Sequence, residues 1–152
     1  MDASKRTFEE VLREKGMLVY PFQGISMRPM LRQETDKVII ERLPAGRRLQ
    51  KYDVALYRTR RGKYVMHRVV RVNDRDYVFR GDNLYRDEPG VEDDQILGVL
   101  TGYIRRGRRI SVQTARFNLH ARFWVAVYPL RKALHTTIGF FREGLWVHLR
   151  NK

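Results

Sequence analysis

Three side chains of the kinds that carry out hydrolysis occur in order along this chain. Ser26 stands in Gly24-Ile25-Ser26-Met27-Arg28-Pro29-Met30, His67 in Val65-Met66-His67-Arg68-Val69-Val70, and Asp82 in Gly81-Asp82-Asn83. A serine hydroxyl is a weak nucleophile, and a neighbouring base must take its proton as it attacks. Gly24 permits a tight backbone two residues before Ser26. Pro29 fixes the chain just after it. Together with Met27 they describe a rigid loop with the hydroxyl at its tip and free amides available to hold an oxyanion. The same heptapeptide also fits a plain serine-containing turn.

His67 alternates with Met66 and Arg68, so in a strand it shares a face with Val65 and Val69. An imidazole on that apolar face stays neutral, and the nearby Arg68 favours the same state; such a ring can act as a base near neutral pH. A satisfied core histidine has the same pattern. Asp82 is expected to accept a hydrogen bond from the imidazole and orient it. Asp87, a few residues on, is the second candidate for that role, and either fits an ordinary turn between strands. The other histidines, His120, His135 and His148, lie in a basic tail with no carboxylate close in sequence, a poor setting for a metal. No metal or other cofactor is expected.

The elements that must hold these groups are mostly short strands. Ser4 is a candidate cap for a helix over about residues 5–15, with Phe8, Val11 and Leu12 on one face and Gly16 as the stop. Strand-like runs follow at Met17–Phe22, Lys37–Glu41, Asp53–Tyr57, Tyr64–Val72, Tyr77–Phe79, Gln95–Leu100 and Ile110–Val112. Arg60-Arg61-Gly62-Lys63 reads as a hairpin turn between two of them. The pattern predicts a mainly β region over about residues 17–114, which with the short helix makes one domain over 1–114, its catalytic core near 20–100. Residues 115–152 form a basic tail. There Phe123, Val127, Leu130, Leu134, Ile138, Phe141 and Leu145 recur at helical spacing, and Pro129 starts or kinks the helix. Such a helix, carrying Trp124 and Trp146, suits either a membrane interface or packing against the β domain or a second copy of the chain, a homodimer.

Composition narrows the classes. With 152 residues, the chain is long enough for one domain with a real core. It has no cysteine, which removes disulfides and thiol catalysis. The net charge of +14 favours anionic partners. No aromatic-interleaved RNA-binding motif accompanies it, so no specific nucleic acid is expected. Two arginine clusters, at Arg58–Arg61 and Arg105–Arg109, flank glycines and read as solvated hairpin tips. Met1–Glu14 is polar, without the apolar core of a secretory signal. No run approaches the roughly 20 apolar residues that span a bilayer. A cytoplasmic or peripheral-membrane location is the expectation.

The segments around Ser26, His67 and Asp82 resemble the superfamily uniting type I signal peptidases with self-cleaving SOS repressors. Ser26-Met27-Arg28-Pro29 is similar to the Ser-Met-x-Pro nucleophile box. Tyr64–Val70 is similar to the general-base strand, with histidine as in the archaeal and endoplasmic-reticulum signal peptidases rather than the lysine of the bacterial ones. Arg80-Gly81-Asp82-Asn83 resembles the Gly-Asp-Asn box, and Gln95–Val99 the strand after it. The resemblance implies that Ser26 is the nucleophile, that His67 is the base, and that Asp82 and Asp87 complete the site. It also implies a grooved, mainly β fold and a leader- or signal-peptide substrate with small residues before the cut. The chain departs from the family in three ways. Gly24 stands where signal peptidases often have a serine that helps the oxyanion, no amino-terminal membrane anchor is seen, and the segment after Arg105 has no counterpart. A repressor-like self-cleaving protein is disfavoured, because the one Ala-Gly pair, Ala45-Gly46, lies after Ser26. The competing expectation is a catalytically inactive peptidase-like fold that binds nucleic acid or a membrane surface.

Overall fold

The computed structural model describes residues 6–137. A short helix, α1 (Phe8–Lys15), precedes eight strands: β1 (Met17–Pro21), β2 (Asp36–Glu41), β3 (Val54–Arg58), β4 (Tyr64–Val72), β5 (Asp76–Arg80), β6 (Glu88–Glu92), β7 (Ile96–Arg105) and β8 (Arg108–Ser111). Two helical segments follow, α2 (Ala115–Ala126) and α3 over 128–137. The fold is mainly β, as the strand pattern indicated. Thr7, rather than Ser4, caps α1. Its hydroxyl accepts from the Glu10 amide while Glu10 reaches back to the Thr7 amide, a reciprocal capping box. Gly16 ends the helix in the left-handed region at φ 70°. Ser4 lies outside the described residues, as do Ile138, Phe141, Leu145, Trp146 and His148 of the tail.

All the strands pair antiparallel in one sheet of order β1-β2-β7-β3-β4-β5-β6, with β8 folded back on the outer half of β7. The arginine clusters fall where the hairpins turn. Gly62 (φ 80°) bends β3 into β4, while Arg106 and Gly107 (φ 50° and 77°) bend β7 into β8.

The central strands are apolar on both faces, and two cores result. One gathers Leu12, Leu18, Phe22, Met27, Met30, Leu31, Ile40 and Leu56. The other gathers Leu49, Ala55, Tyr57, Val69, Tyr77 and Phe79. Alternation along β4 therefore sends Met66 and Arg68 toward the first core and Val65, His67 and Val69 toward the second. The tail is not a detached unit. Phe117 packs on the first core, and both helical segments bond to the loop after β5.

Two strand edges are open. β1 is a terminal strand of the sheet. On β4, pairing with β5 begins only at Arg68, so Tyr64–His67 have a strand on one side alone. Between these edges runs a groove of about 520 Å³, walled by Tyr20, Pro21, Phe22 and Gln23 on one side and Lys63, Tyr64 and Met66 on the other. Phe8 of α1 sits across one part of it, with ring centroids 4.9 Å from Tyr20 and 4.8 Å from Tyr64.

Candidate active site

The first wall of the groove leads into the Ser26 loop. Phe22 is buried, the chain turns at Gly24 with φ 94°, and the Gly24 amide donates to the Gln33 side chain at 3.0 Å. An ordinary side chain is strained at that φ, which is why a glycine stands there. Met27 is completely buried beneath the loop, and the Arg28–Pro29 bond is cis. Ser26 itself is half-exposed. The Ser26 carbonyl accepts from the Asn83 amide at 2.7 Å, which ties the loop to the Gly81-Asp82-Asn83 turn. A Cβ on Gly81 would lie 2.8 Å from that same carbonyl oxygen. The glycine is required by this close approach of two backbones. Among the described residues, the amides of Ser26 and Met27 have no acceptor, which leaves them available to an oxyanion.

The chain of the other wall continues into His67, whose side chain leaves the strand on the face opposite Met66. The ring is buried, with its Nδ1 3.3 Å from Glu88 Oε2 and its centroid 6.4 Å from that of Tyr57. Tyr57 donates its hydroxyl hydrogen to the same Glu88 oxygen. The His67 bond foremost, with Tyr57 adding to it against the cost of burial, holds the Glu88 carboxyl below its ordinary range. Burial, reinforced by Glu88, pushes the Tyr57 hydroxyl far upward, so it remains a donor at every physiological pH. With Nδ1–H directed at a carboxylate, the lone pair of His67 lies on Nε2, the atom a base must use.

The carboxylate on His67 is therefore Glu88, and the assignments of Asp82 and Asp87 to that role are corrected. Asp82 is buried and binds Arg68 in a two-pronged pair, Nε to Oδ1 and Nη2 to Oδ2, both at 2.7 Å. Arg68, fully buried, also donates to the Tyr52 carbonyl at 2.9 Å and meets the Met30 sulfur at 2.9 Å. A guanidinium satisfied in this way is a clamp between the Ser26 loop and the Gly81-Asp82-Asn83 turn. Asp87 pairs with Arg80 at 2.5 Å near the surface. Alternation is the reason: Arg68 follows His67 directly, so the carboxylate that meets one cannot meet the other.

The Ser26 hydroxyl makes no hydrogen bond to any described residue, His67 included. Neither Ser26 nor His67 lines the groove, His67 lying on the strand face opposite Met66, and nucleophile and base are not engaged with one another in this state. Among the described residues, no three His, Asp or Glu side chains converge as a metal site would require.

The chain matches no family model, no curated protein and no solved structure. Sequence reasoning missed Glu88, Tyr57 and the clamp role of Arg68. One signal for Arg68 was available, since an arginine in an otherwise apolar strand needs a buried carboxylate partner.

Proposed function

We propose that the protein is a serine endopeptidase that cuts an extended peptide laid in the groove, with Ser26 as nucleophile, His67 as general base and Glu88 as the group that orients His67. The observation that carries this reading is a buried histidine held by a carboxylate, together with an unbonded serine hydroxyl on a loop tied to the Gly81-Asp82-Asn83 turn. The chain of one groove wall continues past Gln23 into the loop with the serine hydroxyl and free amides, and the chain of the other continues past Met66 into His67, although neither Ser26 nor His67 lines the groove itself. An extended peptide would pair with the open edges of β1 and β4, as strands add to exposed sheet edges. The apolar wall from Leu18, Phe22, Leu56 and Met66 would take its side chains. The Ser-Met-x-Pro, His-strand and Gly-Asp-Asn segments favour a substrate of the leader- or signal-peptide class, with small residues before the cut.

In this scheme the Ser26 Oγ–H bond passes its proton to His67 Nε2 as Oγ attacks the scissile carbonyl. The Ser26 and Met27 amides hold the resulting oxyanion, and His67 returns the proton to the leaving amine. Water then repeats the sequence on the acyl-enzyme. Substrate must first bring Ser26 and His67 into hydrogen-bond reach, as catalytic contacts often tighten only in the complex. No helix among the described residues is long and apolar enough to cross a membrane, and this reading places the enzyme at the membrane periphery or in the cytoplasm.

The test is cleavage of a library of extended peptides bearing small residues at central positions. The parent should produce defined fragments. Ser26→Ala and His67→Ala should each lower turnover by about a thousandfold or more. Ser26→Ala should retain the parental melting temperature, and His67→Ala, which empties a buried site, should melt lower but stay folded at the assay temperature. Parental turnover in either variant would remove this assignment.

A further inference from the structure

The outer face of α2 and α3 takes no part in the groove. On the inner face, Trp124 Nε1 and Arg131 Nη2 donate to the Asp82 carbonyl at 2.8 and 2.9 Å, and the Tyr128 hydroxyl donates to the Tyr85 carbonyl at 2.9 Å. The Arg80 guanidinium lies 3.3 Å from the centroid of the Tyr128 ring. These contacts fix the orientation of the arm. They turn Leu119, Phe123, Leu130 and Leu134 outward, 71%, 59%, 64% and 56% exposed. Four large apolar groups at helical spacing on one solvent face require a partner. The stretch 115–137 contains no acidic residue, and while its Arg131 is held on the inner face, Arg116, Arg122 and Lys132 are exposed.

We propose that this face docks on an anionic lipid surface, its apolar side chains entering the headgroup boundary and its cations meeting lipid phosphates. Charge and apolarity have to be answered together. Nucleic acid would meet the cations but leave the leucines in water. A second copy would cover the leucines but bring one +14 chain against another. A bilayer rich in acidic headgroups satisfies both. Because the inner face is bonded to the Asp82 carbonyl, docking would hold the Gly81-Asp82-Asn83 turn about one helix diameter, roughly 10 Å, from the headgroups. The inference does not depend on peptidase activity.

The experiment is flotation of the full chain with vesicles of phosphatidylcholine alone, and of phosphatidylcholine with about a third phosphatidylglycerol. Binding to the anionic vesicles should exceed that to the neutral ones by about tenfold or more. Replacing Leu119, Phe123, Leu130 and Leu134 together by serine should reduce it by about tenfold or more. The milder Leu119→Ser and Leu134→Ser should each give a partial loss with an unchanged melting temperature. The proposal is overturned if anionic vesicles fail to retain the parent. It is equally overturned if the serine variants bind as the parent does, or if they only convert a dimer to monomer in sedimentation.

Discussion

His67 and Arg68 are neighbours on β4, each bonded to a carboxylate, and the two pairs do opposite things. Arg68 and Asp82 face the first core, bind through two 2.7 Å contacts and have side chains 0% and 3% exposed. His67 and Glu88 face the other way, touch through one 3.3 Å contact, and Glu88 remains 39% exposed. The first pair has every polar atom committed and nothing left to give or take a proton. The second keeps one ring nitrogen uncommitted and a carboxylate within reach of water. Strand alternation thus divides one dipeptide into a structural bolt and a chemically usable pair.

The comparison breaks most severely at Arg68. Arg68→Ala strands Asp82 as a buried charge and should cost about 3–5 kcal/mol, read as a lower urea midpoint. Replacing both partners, with Arg68→Met and Asp82→Leu, should recover a large part of that loss. If Arg68→Ala melts like the parent, the pair is no bolt. Substituting Glu88→Gln attacks the other pair. Stability should change by less than about 1 kcal/mol, in keeping with an exposed partner. Peptide turnover should fall by about a hundredfold or more, because the His67 tautomer is no longer dictated. Asp87→Asn, on the surface pair with Arg80, should leave turnover within about twofold. A reversed ranking of Glu88 and Asp87 would restore the carboxylate assignment made from sequence.

The histidine strand and the serine loop were legible because their signals are local: a polar ring at an apolar position, and glycine and proline around a serine. Glu88 was not. Glu88-Pro89-Gly90 reads as a turn, yet β6 pairs there with β5, opposing Phe79 to Glu88. Only that pairing delivers the carboxylate to His67. Asp82 looked catalytic because it lies in a glycine turn, but nothing local reports that a buried arginine already holds it. In the tail, periodicity marked the stripe, and Pro129 falls just after the break at Val127 where α2 ends. Which face meets solvent is set by Trp124, Tyr128 and Arg131 bonding to a distant loop, a tertiary fact with no local signature.

A smaller effect sharpens the link between the loops. Gly81→Ala should push the Ser26 carbonyl away and cost about 1–3 kcal/mol, with turnover reduced more than the folded fraction explains. Turnover that simply follows the folded fraction would mean that the Gly81 contact does not position Ser26.

The mildest expectation concerns acid. Burial opposes ionisation of Asp36, but Arg105, the Arg32 amide and Thr35 together hold its carboxyl below the ordinary 3.8. A carboxylate with a lowered native pKa stabilises the fold above its unfolded value and loses that contribution as pH falls through the native one. Glu88, lowered from 4.5, acts in the same direction. Urea midpoints should therefore fall on acidification below about pH 4.5, and less steeply in Asp36→Asn. An unchanged slope in that variant would mean that Asp36 does not contribute to the acid dependence.

The most direct test is the mass of the protein quenched during turnover of a cleaved peptide or its ester. The acyl-enzyme scheme predicts an adduct equal to the amino-terminal fragment less water, carried on the segment containing Ser26 and absent from Ser26→Ala. Turnover with the adduct on another residue, or turnover that persists in Ser26→Ala, would contradict it.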